Sequence, residues 1–338
     1  MIFPRHHLRR PAGTTSQTTG GNVRRLRVLV LALAAVLGLT VWAAPAGSAA
    51  GTATYKVWHW NVAGDESNYN STTNGLVDAI LGSVDYRDPD FISLNEVCPD
   101  QYRAILKGLQ ERGWPQSSTN FARFEPMPDV DADLCKDDAT GDSDPYGVAV
   151  FSRFAPSGTD RITLPSDGDK ARKLLCVSIA SQPGGLRFCT THITFKTAVK
   201  PAQLDAVRTQ LQQWTAAGGT VVTAGDFNTQ PHDTLLDSWY TPAVATADNG
   251  GNTGQFHELD DQDGLCPGWG EATTEGSLLG RCDQRAKVDL VWAAASRLVS
   301  YDEDAHPIAT DRCTNRSGLY IPCSNHRIID ATLTVTTP

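Results

Sequence analysis

The sequence predicts an α/β chain, rich in strands and poor in helices. Short apolar runs of strand length, many with β-branched or aromatic residues, recur through residues 51–338. Only three stretches carry helical spacing. Run after run also delivers an Asn, Glu, His or Asp at or near its end. Polar residues gathered at strand ends are the usual way an α/β scaffold assembles a site from distant sequence.

In chain order, Tyr55-Lys56-Val57-Trp58-His59-Trp60 reads as a strand ending at Asn61. Helical spacing follows from Tyr69 to Val84. Asp90-Phe91-Ile92-Ser93-Leu94 is the next strand, ending at Asn95-Glu96, and Gln101 to Arg112 is the second helix. Cys176 and Cys189 lie on adjacent strand-like runs joined by Ser181-Gln182-Pro183-Gly184-Gly185, a hairpin turn by composition. The second run, Leu186 to Thr191, ends at His192, and Ala202 to Trp214 is the third helix.

Thr220-Val221-Val222-Thr223-Ala224 reads as a short buried strand, and Gly225 is expected to let the backbone break out of it. Asp226 and Asn228 then sit two apart on extended backbone, which would send both side chains from one face of the strand end. A carboxylate beside an amide suits a water, a metal or a phosphate. By itself the segment is an ordinary turn composition. Val288 to Trp292 forms a further strand with Asp289 inside it, where an apolar run makes a partner obligatory. Ser324-Asn325-His326-Arg327 precedes the last strand, Ile328 to Val335.

In this order, from Lys56 to Val335, these motifs resemble the endonuclease/exonuclease/phosphatase superfamily that contains pancreatic deoxyribonuclease. Tyr146-Gly147-Val148-Ala149-Val150-Phe151-Ser152-Arg153 resembles its central G-x-x-x-x-S-R strand. The resemblance implies two packed mixed β-sheets in a sandwich flanked by outer helices, the four-layer deoxyribonuclease I-like fold. It points to the branch of secreted bacterial nucleases. Asn61 and Glu96 match the family's metal-binding pair. His192, Asp226, Asn228, Asp289 and His326 match its catalytic positions. Asp226 would orient or deprotonate the attacking water, and Asn228 would donate to the phosphorane oxygens. His326, held by Asp289, would serve as acid/base or cationic phosphate contact, and His192 would touch the scissile phosphate or protonate the leaving group.

Asn325 stands where the family has Asp. It is expected to ligate a metal through a neutral oxygen and to weaken binding of any metal that uses the position. All-oxygen ligation favours Mg²⁺, with Mn²⁺ or Ca²⁺ as alternatives, over zinc. Arg172, Lys196, Lys200 and Arg208 are candidate phosphate contacts, each with a plain alternative as a solvated surface charge.

The chain carries 29 Lys+Arg and 38 Asp+Glu; residues 1–50 hold six arginines and no acid, so the remainder has a formal charge of −15. That balance argues against tight, salt-driven polyanion binding, although a divalent cation can offset phosphate repulsion. Arg24, Arg25 and Arg27, the apolar run Val28 to Trp42, and small residues through Ala50 make residues 1–50 a signal peptide. Fifteen apolar residues fall short of the about 20 needed to span a bilayer. Residues 51–338 are expected to be one catalytic domain, secreted, monomeric and without stable membrane association.

All eight cysteines lie in that domain, without C-x-x-C spacing, which favours disulfides over zinc. Pairing in sequence order, 98–135, 176–189, 266–282 and 313–323, closes four local loops. Of two acidic segments, Asp129 to Asp144 holds seven aspartates and Glu258 to Gly264 resembles a fragment of a calcium loop; neither has full EF-hand spacing, and the expectation for both is a solvated acidic loop, with a structural Ca²⁺ site as the alternative.

The leading functional expectation is a secreted divalent-metal-dependent nuclease acting on DNA, with phosphomonoesters as a side activity. The first alternative is a sphingomyelinase-type phospholipase C, for which Trp269, Leu278 and Leu279 are thin candidates for membrane contact. A noncatalytic binding protein on the same scaffold is the alternative from another class.

Overall fold

The structure, a computed structural model, describes residues 51–338 except 66, 116–121, 129–134, 137–143, 167, 169–170, 308–311 and 338. The expected signal peptide and most of the acidic segment 129–144 therefore lie outside the described residues. Among the described residues no helix is long and apolar enough to cross a membrane.

The first half runs β1 (Thr52–Asn61), α1 (Leu76–Arg87), β2 (Phe91–Val97), α2 (Pro99–Glu111), β3 (Ala122–Pro126) and β4 (Gly147–Ser152). The second half begins β5 (Gly158–Thr163), β6 (Lys173–Ile179), β7 (Leu186–His192), α3 (Lys200–Ala216), β8 (Val221–Asp226), β9 (Phe256–Glu258) and β10 (Asp289–Ala294). It closes with β11 (Leu298–His306), β12 (Cys313–Thr314), β13 (Tyr320–Ile321) and β14 (Ile328–Thr336). One six-stranded sheet has the order β11-β14-β1-β2-β4-β3, the other β5-β6-β7-β8-β10-β9, and β12 pairs with β13 alone. This is the mixed, two-sheet sandwich that the sequence predicted.

Three cores hold the layers together. The inward face of the first sheet (Tyr55, Val57, Phe91, Val148) packs on that of the second (Val177, Phe188, Val222, Val291). The outward face of the first sheet (Trp58, Trp60, Ile92, Leu94) is covered by α1 and α2 through Leu76, Ile80, Ile105 and Leu109. The outward face of the second sheet (Cys189, Val221, Trp292) is covered by α3 through Leu204, Val207 and Leu211. Alternation along each strand sends successive residues to opposite faces, which is why β1, β2, β7, β8 and β10 are apolar on both.

Parallel pairing explains where the site must be. β1 pairs with β2 and β7 with β8 in parallel, each across a helical connection, so all four strands end at one rim. β10 and β14 run antiparallel to these and bring their first residues to the same rim.

Four local expectations are corrected. The acidic segment Glu258 to Gly264 is not a solvated loop: Glu258, Asp260 and Asp261 are buried, and the buried Lys287 ammonium lies 2.8 Å from Glu258 Oε2 and 2.9 Å from Asp260 Oδ2. The first helix begins at Leu76, not Tyr69, because Tyr69 and Asn70 are left-handed (φ 50° and 57°) and Gly75 has φ 103°. A Cβ at Gly75 would also lie 2.0 Å from the Arg312 carbonyl oxygen. Gly225 does not break the strand but lies within β8, where a Cβ would stand 2.1 Å from the Thr191 carbonyl oxygen of β7. Asp289 opens β10 and is not inside it.

All four disulfides form as expected: Cys98–Cys135, Cys176–Cys189, Cys266–Cys282 and Cys313–Cys323. They are compatible with an extracellular protein.

Candidate active site

Along the inward face of each central strand the side chains change from apolar to polar as the rim is approached. The series are Val57-His59-Asn61, Phe91-Ser93-Asn95, Phe188-Thr190-His192 and Val222-Ala224-Asp226, with Asp289 entering from β10. Because these positions share one face by alternation, the sandwich gathers them into one polar layer between the sheets.

Asp226 lies at the centre, 2% exposed. Its Oδ1 accepts from Asn228 N at 2.8 Å. Its Oδ2 accepts from Asn61 Nδ2 at 3.1 Å and lies 3.5 Å from His192 Nε2 and 3.9 Å from His326 Nε2. Glu96 stands beside it, left-handed (φ 56°) at an irregularity in the β2–β4 ladder, with Oε1 3.7 Å from His192 Nε2. The Glu96 side chain is 21% exposed, which opens it to the rim.

Asp289, fully buried, carries two histidines. His326 Nδ1 is 2.7 Å from Oδ2, and His59 Nε2 is 3.2 Å from Oδ1. The backbone N–H groups of Val288 and Asp289 both donate to Thr273 Oγ1. Ser324 Oγ donates to the Asn61 carbonyl at 2.6 Å and accepts from His326 N at 3.0 Å, locking the ends of β1 and β14 together. Trp60 Nε1 donates to the His326 carbonyl.

The electrostatics follow from this crowding. Burial raises the Asp226 carboxyl, the Asp289 charge raises it further, and His326 opposes them; the outcome is a pKa pushed up to about 7. Burial would lower His326, but Asp289, Asp226 and Glu96 outweigh it and raise the imidazole to about 10. Burial would raise Asp289, yet His326 and His59 hold it down to about 2. Without a bound cation, a protonated His326 is the main local counterweight to three carboxylates.

The expected site residues divide unevenly. Asn61, Glu96, His192, Asp226, Asp289 and His326 come together. Asn228 lies past the strand end in a left-handed conformation (φ 48°), so the shared-face argument does not apply to it. Its Nδ2 donates to the Ile193 carbonyl, and its own carbonyl accepts from Lys200 Nζ. Asn325 is exposed beside His326, with its carbonyl accepting from Glu275 N.

Arg172, 3% exposed, immediately precedes β6, whose Leu174 pairs with Thr191 next to His192. Among the described residues its Nε and Nη1 have no hydrogen-bond partner, a fit for an anion. Lys196 lies half-buried on the loop after His192. Arg208 does not join the group. Two turns into α3, its guanidinium binds Asp205 and Gln212 of its own helix.

The second layer beneath the site went unread in the sequence. Asn95 Oδ1 takes the Asp226 N–H at 2.7 Å, and its Nδ2 reaches Thr190 Oγ1. Ser93 Oγ donates to Thr190 Oγ1 and lies 2.8 Å from His59 Nδ1. Tyr146 stacks on His192 with centroids 6.5 Å apart. Polar residues at alternate inward positions of apolar strands, His59 with Asn61 and Ser93 with Asn95, were the available signal.

The donor set suits a hard cation. Glu96 and Asp226 offer carboxylate oxygens and Asn61 an amide oxygen, and there is no sulfur among them. Asn61 Nδ2 bridges Glu96 Oε1 (3.3 Å) and Asp226 Oδ2 (3.1 Å), a positive edge between two anions. Turning the amide over would give its oxygen instead to a cation in that place, at the loss of the Ala63 N–H bond that Oδ1 accepts at 3.2 Å. Asp226, Asp289 and His326 also place three ligand atoms within 4.8 Å of one another.

A family model described as the Endonuclease/Exonuclease/phosphatase family matches residues 58–297. No curated protein matches the chain. Among solved structures, an endonuclease/exonuclease/phosphatase family protein from Bacteroides thetaiotaomicron is similar at 13% identity and TM-score 0.58, covering 85% of this chain and 96% of that one. The human Nocturnin catalytic domain with bound sulfate is similar at 17% identity and TM-score 0.56, covering 85% and 98%. D. rerio TDP2 complexed with single-strand DNA product is similar at 17% identity and TM-score 0.51, covering 83% and 99%. Likeness at such identities carries the fold.

Proposed function

The chain belongs to the endonuclease/exonuclease/phosphatase family, whose members are hydrolases of phosphate esters, and from that premise we propose a secreted, divalent-metal-dependent nuclease acting on DNA. The observation that carries the reading is Asp226 Oδ2, set between Nε2 of His192 (3.5 Å) and Nε2 of His326 (3.9 Å), with Glu96 at the rim. Phosphodiester hydrolysis needs an activated water, neutralised phosphoryl oxygens and a protonated leaving oxygen.

In this reading Asp226 takes the proton of the attacking water. His326, kept cationic by Asp289, faces the phosphoryl oxygens, and His192 Nε2 passes a proton to the leaving oxygen. Arg172 and the second N–H of the Asn228 amide add donors to the phosphate. Glu96, with Asn61 and Asn325, would hold Mg²⁺, or Mn²⁺ or Ca²⁺ in its place, which when bound supplies Lewis-acid neutralisation of phosphate charge. Support for a nucleic acid comes from the single-strand DNA product named with D. rerio TDP2. Four disulfides support an extracellular setting, where the role would be scavenging nucleic acid.

A specific observation favours a second reading, phospholipase C of the sphingomyelinase type. Of the three candidates read in the sequence, Trp269 is fully buried and takes no part, while Leu278 and Leu279 are 61% and 66% exposed; Phe195, three residues past His192, is 65% exposed and Tyr320 on the small β12–β13 hairpin is 72% exposed. Such side chains on loops from the catalytic rim suit insertion into a lipid surface.

The test is the purified chain incubated with supercoiled plasmid, linear duplex, RNA and sphingomyelin, with Mg²⁺ or with chelator. Mg²⁺-dependent DNA cleavage, reduced at least ~100-fold by His326→Ala, is the expected outcome. Phosphocholine release with intact DNA would replace the nuclease by the lipase, and inactivity on every substrate would favour a binding protein.

A further inference from the structure

Two buried glutamines repeat one arrangement behind the rim. Gln101 lies in the first turn of α2 and Gln203 in the first turn of α3. In each, Oε1 accepts the backbone N–H two residues beyond a site residue. For Gln101 that donor is Cys98 N at 3.0 Å, just past Glu96; for Gln203 it is Thr194 N at 2.9 Å, just past His192. In each, Nε2 donates to the carbonyl of a different loop, Gly64 at 3.0 Å for Gln101 and Pro165 at 2.8 Å for Gln203.

The loops so joined carry two halves of the site. Gly64 lies on the loop after β1, where Ala63 N donates to Asn61 Oδ1 and Gly64 N donates to the Glu96 carbonyl. Pro165 follows Leu164, whose N–H donates to the Arg172 carbonyl. Gln101 thus ties the Asn61 loop to the Glu96 loop, and Gln203 ties the His192 loop to the Arg172 segment. Glu96 has particular need of such a tie. A non-glycine residue at φ 56° is held there only where its surroundings over-determine it.

We propose, on the metal-dependent reading above, that Gln101 and Gln203 are positioning residues. Gln101 presents Glu96 to the divalent cation, and Gln203 presents His192 to the phosphate. A buried amide that spends its acceptor on one loop and its donor on another fixes both, because either group left unpaired in the interior is costly. The plain alternative is helix capping. It fits half of the Gln101 pattern, since Cys98 is the cap residue of α2 and Gln101 reaches back to its N–H. Capping does not account for the bond to Gly64, 37 residues away. Nor does it account for Gln203, whose partner Thr194 lies ahead of the Val199 cap of α3.

Gln101→Met and Gln203→Met keep the side-chain length and delete both bonds. Mg²⁺ is titrated by calorimetry into the purified parent and each variant, and Tm is recorded without added cation. Gln101→Met is expected to weaken Mg²⁺ binding about tenfold or more, as removal of a group behind a metal ligand does. Gln203→Met is expected to lose comparable Tm yet leave Mg²⁺ affinity unchanged. Hydrolysis of plasmid and of sphingomyelin then separates the two roles. Raised Mg²⁺ is expected to restore kcat in Gln101→Met but not in Gln203→Met, which stays down about tenfold or more through misplacement of His192. Should either methionine variant not fold, the glutamate variant decides, since it keeps the acceptor and sets a carboxylate oxygen against the loop carbonyl. Unchanged Mg²⁺ affinity in the Gln101 variant, equal weakening by both variants, or equal rescue of both by Mg²⁺ overturns the proposal and leaves the function standing. A parent that binds no Mg²⁺, or hydrolyses neither substrate, overturns the proposed function and the proposal with it.

Discussion

The Asp226 carboxylate and the His326 imidazole titrate in opposite senses, and their overlap sets the working pH. Asp226 acts ionised, and without a cation it ionises only near pH 7; a divalent cation beside Glu96 draws that limit downward. His326 acts protonated and stays so up to about pH 10. The kcat/KM profile with Mg²⁺ is therefore expected to rise to a plateau at or below about pH 7 and to fall near pH 10, the fall being absent in His326→Gln. Asp226→Asn is expected to cost ~10²–10⁴ in kcat. Stability follows the same groups. The depressed Asp289 contributes above its unfolded value of 3.8 and loses that contribution as pH falls towards about 2. The raised His326 contributes below its unfolded value of 6.5 and loses that contribution as pH rises through about 10. Thermal unfolding from pH 6.5 to 10 is expected to erode the Tm advantage of the parent over His326→Gln; a constant difference would separate the ion pair from stability. Asp226, raised in the fold, works the other way and opposes folding increasingly from pH 3.8 to about 7.

At the scale of elements, the close approach of β7 and β8 is what holds His192 against Asp226, and Gly225 is what permits it. A Cβ there would lie 2.1 Å from backbone, which cannot swing aside as a side chain can. Gly225→Ala is expected to cost about 2 kcal/mol, a Tm loss of ~4–8 °C, and to lower kcat by displacing Asp226, its chain neighbour. Unchanged unfolding and kcat would place the tight contact elsewhere. The strands were legible because apolar runs of this length bounded by turn residues have few other uses. The first helix was legible only in part. Tyr69 continues the apolar period of Leu76, Ile80 and Val84, yet the loop before the helix is pinned by Asn68 Nδ2 to the carbonyls of Val62, Ala63 and Cys323. Such a contact across 255 residues leaves no local trace.

At the scale of the molecule, residues 51–338 are strongly acidic, and Arg172, whose Nε and Nη1 meet no partner among the described residues, with Lys196 and Lys200 on the loop and helix after His192, makes a small cationic footprint. If DNA is the substrate, binding should release few counterions. A footprint of three phosphates predicts a log–log dependence of KM on salt with a slope of about 3 or less, not the ~6–10 of extended basic surfaces. Steady-state cleavage between 50 and 200 mM salt at fixed Mg²⁺ checks this, and a steep slope would reveal a basic surface outside the rim.

By itself the sequence determined the central strands β1, β2, β4, β6, β7, β8, β10 and β14, the order in which they present polar ends, the cysteine pairing and the family, because these depend on local periodicity and ordered motifs; the edge strands β3, β5, β9 and β11 carry no such run and were not legible. Tertiary structure decided the partnerships. That Asp289 holds a histidine on each carboxylate oxygen and that Asn95 supports Asp226 from beneath depend on which faces meet across the sandwich. Residues up to 266 positions apart come within 2.8 Å there. The energy of each contact depends on exclusion from water, which only the packed sheets provide.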